Sequence, residues 1–568
     1  LDQGTVAYRY PDAANPALLE RIPLNARTIL DVGCGHGALG AAYKRLNPRA
    51  RYLGIELNQA AGRIAAERLD EVFIGDVERH PLPFALPDGI DCLIYGDVIE
   101  HFSEPWELLR VQAQALAPEG TWLACIPNVE HWSLVSHLLK GTFSYAENGL
   151  LDRTHLRWFS RDSTLKLLQS IGLHPVDVIT RVFDVEHARA FVGAISPTLT
   201  VLGVDPTEYL NRAAPLQYVW RARRVLRPVM TVVSTMLAPV GGVSQVRVTD
   251  PLRSLSSLSD VRSHVWDKPG LPTSAPSAPG VFIFHRPAFS GPEGLEVLKA
   301  MVDQKQLIIC EFDDNPDYIP ILQRPDMWNF CGVHAVQTTT EILAEQLRQT
   351  NPEVAVFPNA IRALPDVTNF ADLSTITLFF GGLNREGDWP PFVEALNAVA
   401  ALAGERLRFS IVHDQGLFEA LQTPHKTFTP MCDYATYQAL LAGAEISFMP
   451  LADNPFNRGK SDLKFIEAGA HRVAALASPV AYADSIVDGH TGVLFRDPDE
   501  LRRRLMHMIA NPAAVRAIAD NARAWVSENR MLAYQLDQRV AWYRSLWERR
   551  AELHEALLAR MPMLRDGA

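Results

Sequence analysis

The sequence predicts an α/β protein built from several parallel sheets, and three observations carry that expectation. Short apolar runs such as Thr28 to Leu30, Asp91 to Tyr95, Val281 to Phe284 and Thr377 to Phe380 read as buried strands. Helical stretches alternate with them, which implies parallel strands with ligands at the strands' carboxyl ends. The chain has 568 residues, too many for one hydrophobic core, so two or three domains are expected.

The elements justify this in order. Residues 1–26 lead in, with a short helix from Ala17 to Ile22 stopped by Pro23. The first strand runs into Asp31-Val32-Gly33-Cys34-Gly35-His36-Gly37, and a helix follows from Ala38 to Leu46. Glycines at alternate positions permit a tight turn and let a ligand lie against bare backbone. The helix start behind them offers unpaired N–H groups and a positive dipole end. A second strand, Tyr52 to Leu57, carries Glu56 near its end, where a carboxylate can accept both hydroxyls of a ribose. A third ends in Phe73-Ile74-Gly75-Asp76-Val77, and a fourth runs into Gly96-Asp97-Val98-Ile99-Glu100-His101.

This series resembles the class I S-adenosylmethionine-dependent methyltransferases, whose four motifs occur here in the family's order. The resemblance implies a Rossmann-like methyltransferase domain. Asp31, Gly33 and Gly35 would surround the methionine part of the cofactor, Glu56 would hold the ribose, and Asp76 with Val77 the adenine edge. Asp97 counts with these cofactor residues. A dinucleotide-binding reading is disfavoured, because Gly-x-Gly-x-Gly replaces Gly-x-Gly-x-x-Gly and the Asp76 and Asp97 motifs would go unexplained.

Composition narrows the function classes. Lys+Arg 54 against Asp+Glu 65 gives a net charge of −11, which argues against generic nucleic-acid binding. The six cysteines form no Cys-x-x-Cys pair and most sit in apolar runs, as buried thiols in a reducing cytoplasm would. No signal peptide and no membrane-spanning apolar run is visible. The chain starts at Leu1 rather than Met, so further residues are expected before it.

Leu116 to Gly120 reads as a turn and Thr121 to Ile126 as a fifth strand. Beyond it, Leu151-Asp152-Arg153-Thr154-His155-Leu156-Arg157-Trp158-Phe159 resembles a methyltransferase subgroup often encoded with bacterial surface-polysaccharide genes. It falls where a methyl acceptor should lie. His155, or failing that Asp152, is the expected base, with His131 a further catalytic candidate. The competing reading is a buried polar network that braces the last strands. His101 and His131 also fit packed, hydrogen-bonded histidines. A helix from Ser163 to Ile171 and a strand from Val176 to Phe183 complete this domain.

Residues 184–237 read as helical. Arg221, Arg223, Arg224 and Arg227 precede the apolar Val229 to Leu237, so a basic helix could touch an anionic membrane or, more simply, present a solvated face. A new unit starts near Pro239. Leu271 to Gly280, rich in Pro, Ser and Ala, reads as a tether. Strands at Val281, Leu307 and Val333 and a second set from Ile376 give two further α/β halves, and the tail is helical, with Trp525, Tyr534, Tyr543 and Trp547 as packing anchors.

These halves resemble the GT-B glycosyltransferases, most closely the retaining, nucleotide-sugar-using members, with two Rossmann-like domains facing across a cleft. The resemblance implies that Gly382 and Arg385 lie near the donor diphosphate, that Lys464 contacts phosphate from a helix start, and that Glu467 accepts the ribose hydroxyls. The family's first glutamate is Gly459 here, and Lys460 is its electrostatic substitute. Asp313 and Asp314 suit helix capping as well as metal ligation, and no metal is expected. The expected domains are 1–183 (methyltransferase), 184–237 (helical linker), 238–365 (GT-B acceptor domain), 366–530 (donor domain) and 531–568 (terminal helices). The implied whole is a cytoplasmic bifunctional enzyme of surface-glycan assembly. It would use S-adenosylmethionine and a nucleotide sugar of unspecified base on a glycan or lipid-linked glycan. The alternative is a degenerate GT-B module that only binds or scaffolds.

Overall fold

A computed structural model describes residues 12–236, 241–268 and 278–565. The expected start near Pro239 and most of the tether, 271–277, lie outside the described residues. The chain divides into two compact units, Leu1–Val229 with Ser256–Val261, and Met230–Leu255 with Arg262–Ala568.

The first unit holds one seven-stranded sheet in the order β3-β2-β1-β4-β5-β7-β6. Its strands are β1 Thr28–Val32, β2 Arg51–Glu56, β3 Glu71–Ile74, β4 Ile90–Gly96, β5 Leu116–Pro127, β6 His174–Arg181 and β7 Gln217–Arg223. The first five are mutually parallel, so their carboxyl ends share one edge. β7 is antiparallel to both β5 and β6. Buried side chains cover both faces, Leu30, Leu93 and Trp122 on one and Ile29, Ile94 and Leu123 on the other, which explains the apolar runs.

Three expectations are corrected here. Residues 116–120 are the first part of β5, set off by a register shift opposite Ile90 and Cys92. A side chain at Gly120 would strike the Ile90 carbonyl, so the bulge needs its glycine. The stretch 184–237 is only partly helical: helices Val185–Val201 and Pro206–Ala213 are followed by β7, which inserts beside β5. The basic helix does not form. Tyr218 and Trp220 pack into the core, and the arginines that suggested a charged helix face are paired. Arg221 is bound to Asp177, Arg223 lies 3.4 Å from Asp260, and Arg227 is bound to Glu119. Among the described residues no helix is long and apolar enough to cross a membrane.

The second unit contains two six-stranded sheets. One has the order β13-β12-β11-β10-β8-β9, from β8 Met230–Thr235, β9 Val261–Trp266, β10 Gly280–His285, β11 Ile308–Glu311, β12 Ala335–Thr338 and β13 Val354–Val356. The residues read as the apolar end of a basic helix are therefore a strand, β8, parallel to β10. The other has the order β16-β15-β14-β17-β18-β19, from β14 Ile376–Gly381, β15 Leu407–Val412, β16 Lys426–Thr429, β17 Ile446–Met449, β18 Ala474–Ala477 and β19 Val493–Leu494, all parallel. The terminal helices Leu536–Glu548 and Arg550–Arg560 return to the first of these sheets. Leu557 and Met561 pack with Val233 and Phe284, and the Tyr543 hydroxyl donates to Gln337 Oε1 at 2.9 Å.

Candidate active sites of the two units

At the carboxyl end of β1 the chain turns through Gly33, Gly35 and Gly37, each at positive φ. A Cβ at Gly33 would lie 2.7 Å from Val98 Cγ2, so this turn is packed directly on the segment after β4. The Gly35 N–H donates to Glu56 Oε2 and the Asn58 N–H to Glu56 Oε1, both at 2.8 Å. One buried carboxylate thus ties the glycine turn to the end of β2. Asp31 accepts the Tyr52 hydroxyl at 3.0 Å, and burial pushes its carboxyl up to about 7. Asp76 follows β3, accepts the Glu78 N–H at 2.9 Å and pairs with Arg79 at 3.3 Å, while Val77 is core. Asp97, at φ 55, accepts from Gln217 of β7, and burial raises its carboxyl to about 6. Asp31, Gly33, Gly35 and Glu56 therefore stand together, with Asp76 one strand further along the same edge.

The segment 149–159 lies across the turn that follows β4. The Leu156 and Arg157 N–H groups both donate to the Glu100 carbonyl, at 2.8 and 3.0 Å. Asp152 Oδ1 accepts the Thr154 N–H at 2.8 Å and its hydroxyl at 2.6 Å. Burial alone would raise the Asp152 carboxyl; these bonds outweigh it and hold it below the usual carboxylate range. Its geometry is that of a loop brace. His155 faces Glu100, with Nε2 3.9 Å from Oε1, and its ring meets the His101 ring edge-on at 4.9 Å. Burial holds both imidazoles below their ordinary value. His131 lies apart from them. It caps the helix Trp132–Lys140, contacts the Ser133 hydroxyl at 2.7 Å, and is depressed by burial to about 4.

In the second unit, β14 leads into Gly382, whose absent Cβ leaves room for Arg385 Cγ. Arg385 reaches Asp388 at 3.2 Å and Asn457 Oδ1 at 3.3 Å. Asp388 in turn accepts the Ala452 N–H and the Asn457 amide. Lys464, in the helix Leu463–Ala470, is half-buried with its Nζ 3.3 Å from the Tyr437 hydroxyl, and desolvation lowers it to about 8. Glu467 accepts the Tyr434 hydroxyl at 2.6 Å and the Gln438 amide at 3.2 Å; burial raises its carboxyl and Lys464 opposes that. Lys460 forms a 2.7 Å ion pair with Asp314, linking the two sheets' loops. Asp313 pairs with Arg286, so these two aspartates are salt-bridge partners and the short turn after them is capped by Asn315. A Cβ at Gly459 would meet Leu343 Cδ2 at 3.2 Å, so the place of the missing glutamate is crowded by the first sheet's helix.

Sequence reasoning missed several participants. Glu100 is hidden in an apolar run, Asp388 and Asn457 lie in loops without a motif, and Tyr434 and Tyr437 look like core aromatics. The available signal was Ile99-Glu100-His101, a titratable pair shortly after a buried strand. Two cavities, of about 450 and 520 Å³, lie against β6 and β7, and none of the expected site residues lines them.

Comparison with known proteins agrees with this division. Residues 30–122 match the family model described as "Methyltransferase domain", and residues 390–541 match that described as "Glycosyl transferase-like". The ubiquinone biosynthesis O-methyltransferase of Dinoroseobacter shibae is 29% identical over 169 residues, 28% of this chain and 66% of that protein. That of Ralstonia nicotianae is 25% identical over 179 residues, 28% of this chain and 73% of that protein. The chain thus spans about two thirds of the length of the first of these relatives. Similar solved structures include the Anabaena protein HepE in complex with UDP and glucose (12% identity, 56% of this chain and 99% of that chain, TM-score 0.38). A SAM-dependent methyltransferase from Archaeoglobus fulgidus is also similar (17% identity, 36% of this chain and 88% of that chain, TM-score 0.26).

Proposed function

We propose that this chain, which carries a methyltransferase domain followed by a GT-B glycosyltransferase domain, serves bacterial cell-surface polysaccharide synthesis of the O-antigen or capsule type. It methylates a sugar hydroxyl with S-adenosylmethionine and transfers a sugar from a nucleotide sugar to a glycan or lipid-linked glycan, on the cytoplasmic side of the membrane.

The observation that carries the first activity is the set of carboxylates at one sheet edge, Asp31, Glu56 and Asp76, around a glycine turn. That donor set suits a ligand whose own groups are an amine, a ribose diol, an adenine amine and a positive sulfonium. When bound, the cofactor supplies an electrophilic methyl group. Glu56 would exchange its backbone donors for ribose hydroxyls, and Asp31 would meet the amino end. Loss of the acceptor's proton depends on His155, which stands against Glu100 in the turn after β4. The relatives are named O-methyltransferases, which supports oxygen as the accepting atom. Transfer of labelled methyl to a panel of surface glycans tests this: His155→Ala should bind cofactor normally while turnover falls roughly 10²–10⁴-fold. Full activity in that variant would remove His155 from the chemistry.

For the second activity, Arg385 comes from the loop after β14 and Lys464 from the first turn of the helix Leu463–Ala470, two positions that suit a diphosphate site. A retaining course follows the same family resemblance. The glycine at 459 in place of a glutamate and the engaged Glu467 favour a second reading, a glycan-binding module without transferase activity. Binding of uridine, guanosine, thymidine and cytidine diphosphates to the full chain separates the two; no binding by any of them would leave the second.

A further inference from the structure

We propose that the two cavities of the first unit form one groove that seats the methyl acceptor away from its reacting end, with an anionic group of a glycan, phosphate or carboxylate, held between Arg161 and Arg189. The groove lies along the face of β6 and β7 that carries Val178, Thr180, Tyr218 and Trp220. Its other wall comes from the helices Val185–Val201 and Pro206–Ala213, inserted between those two strands, and from the first residue of the helix Arg161–Ser170. Asn128, fully buried after β5, fixes this wall by donating to the Arg212 and Pro215 carbonyls, both at 2.8 Å.

The larger cavity, about 520 Å³, has the size of a small-molecule site, and its charged lining is cationic. Arg161 and Arg189 line it, and among the described residues no carboxylate does. Arg161 forms no ion pair among the described residues, and Arg189 has only Glu186, an exposed partner on its own helix at 2.8 Å. An exposed pair of that kind holds its cation weakly. The Asn211 amide and the Thr180 and Tyr218 hydroxyls belong to the same cavity. Two guanidinium groups with neutral donors beside them suit an oxyanion.

A separate observation comes from the smaller cavity, about 450 Å³, which shares Arg161 and Val178 with the larger. Trp220 lines it, is 3% exposed, and has its Nε1 buried with no hydrogen-bond partner. A buried indole N–H without an acceptor is costly, and a saccharide oxygen answers it. Leu165, Pro175 and Val176 add apolar surface that suits the C–H face of a sugar ring. The carboxylates here, Glu130, Asp162 and Asp177, are already paired with Arg212, Lys166 and Arg221.

The groove's role toward the acceptor rests on the methyltransferase reading; its binding of an anionic saccharide does not. Thr180 pairs with Tyr218, one position from Gln217, which donates to Asp97 after β4. β6 stands three strand spacings from β4, about 14 Å. A short saccharide anchored at Arg161 therefore reaches the cofactor edge with a ring hydroxyl.

The test titrates the full chain with glucose 1-phosphate, glucuronic acid and glucose, followed by calorimetry. At least one of the two anions should bind saturably and glucose at least tenfold more weakly; the anion that binds identifies the group as phosphate or carboxylate. Arg161→Gln and Arg189→Gln, both at exposed positions, should each weaken that binding roughly tenfold. In the nitrogen-labelled chain the indole N–H signal lost in Trp220→Phe should move during the same titration. No saturable binding, equal binding of glucose, an affinity unchanged in both arginine variants, or an unmoved Trp220 signal would overturn the proposal. Saccharide binding without any S-adenosylmethionine binding would instead sink the methyltransferase reading and leave the groove standing.

Discussion

Glu56 holds the Gly35 and Asn58 N–H groups in the place where a ribose would compete for its oxygens. Replacing it by Ala removes both roles, and cofactor affinity measured by calorimetry should fall by roughly 1.5–3 kcal/mol. Unchanged affinity would show that the ribose sits elsewhere. Lys464 gives a second residue-scale test. It is lowered to about 8 by burial, so it is charged at pH 7 and loses its charge as pH rises through that value. Glycosyl transfer should decline above about pH 8, and Lys464→Arg should extend activity to higher pH; an identical profile in both proteins would remove Lys464 from the phosphate site. The strand-end carboxylates were legible because each sits at a fixed place after a buried run. Glu100 was not, since a carboxylate among Val98, Ile99 and Phe102 gains meaning only when a segment some fifty residues later folds against it.

At the scale of elements, β1, β4, β10 and β14 were legible, because each is a short apolar run that leads into a glycine- or polar-rich turn. β7 was not, because its exposed-looking arginines are neutralised by partners distant in sequence. Arg221 is bound to Asp177 of β6 and donates to the Ser257 carbonyl at 2.8 Å. Removing Arg221 leaves the partly exposed Asp177 with Arg21, 3.9 Å away, as its remaining cationic partner, and strips the Ser257 carbonyl of its donor. Arg221→Ala should therefore destabilise the first unit by about 1–3 kcal/mol, lowering its thermal transition without touching that of the second. If the transition does not move, the strand is held by its apolar residues alone, Tyr218, Val219 and Trp220. The bulge in β5 was illegible for a related reason. Pro118 and Gly120 spell a turn locally, and only pairing with β4 turns that signal into an irregular strand.

At the scale of the molecule, the chain's division into repeated α/β units was legible from alternation, whereas the boundary at 183 was not, since β7 returns after two helices to enter the first sheet. The two units also differ in how burial has set their titrating groups. In the second, burial depresses His285 and His471 to about 4 and His334 to about 3, all below the ordinary 6.5. The unfolded chain binds these protons first, so the stability they allow is present above pH 6.5 and is lost as pH falls toward the folded values. Each contributes up to roughly 1.4 kcal/mol per pH unit in that window. Burial also raises Glu311 and Glu467, but Arg247 and Lys464 limit that rise. In the first unit, Asp31 at about 7 and Asp97 at about 6 work the other way. Folded carboxyls raised above 3.8 take up protons before unfolded ones, so acidification favours the fold and offsets the depressed His131. Scanning calorimetry between pH 7.5 and 5.5 should therefore show the second unit's transition falling further than the first's. Added S-adenosylmethionine identifies the first by raising it alone. Equal shifts, or a larger fall in the ligand-sensitive transition, would mean that the three histidines of the second unit are not held neutral by their surroundings.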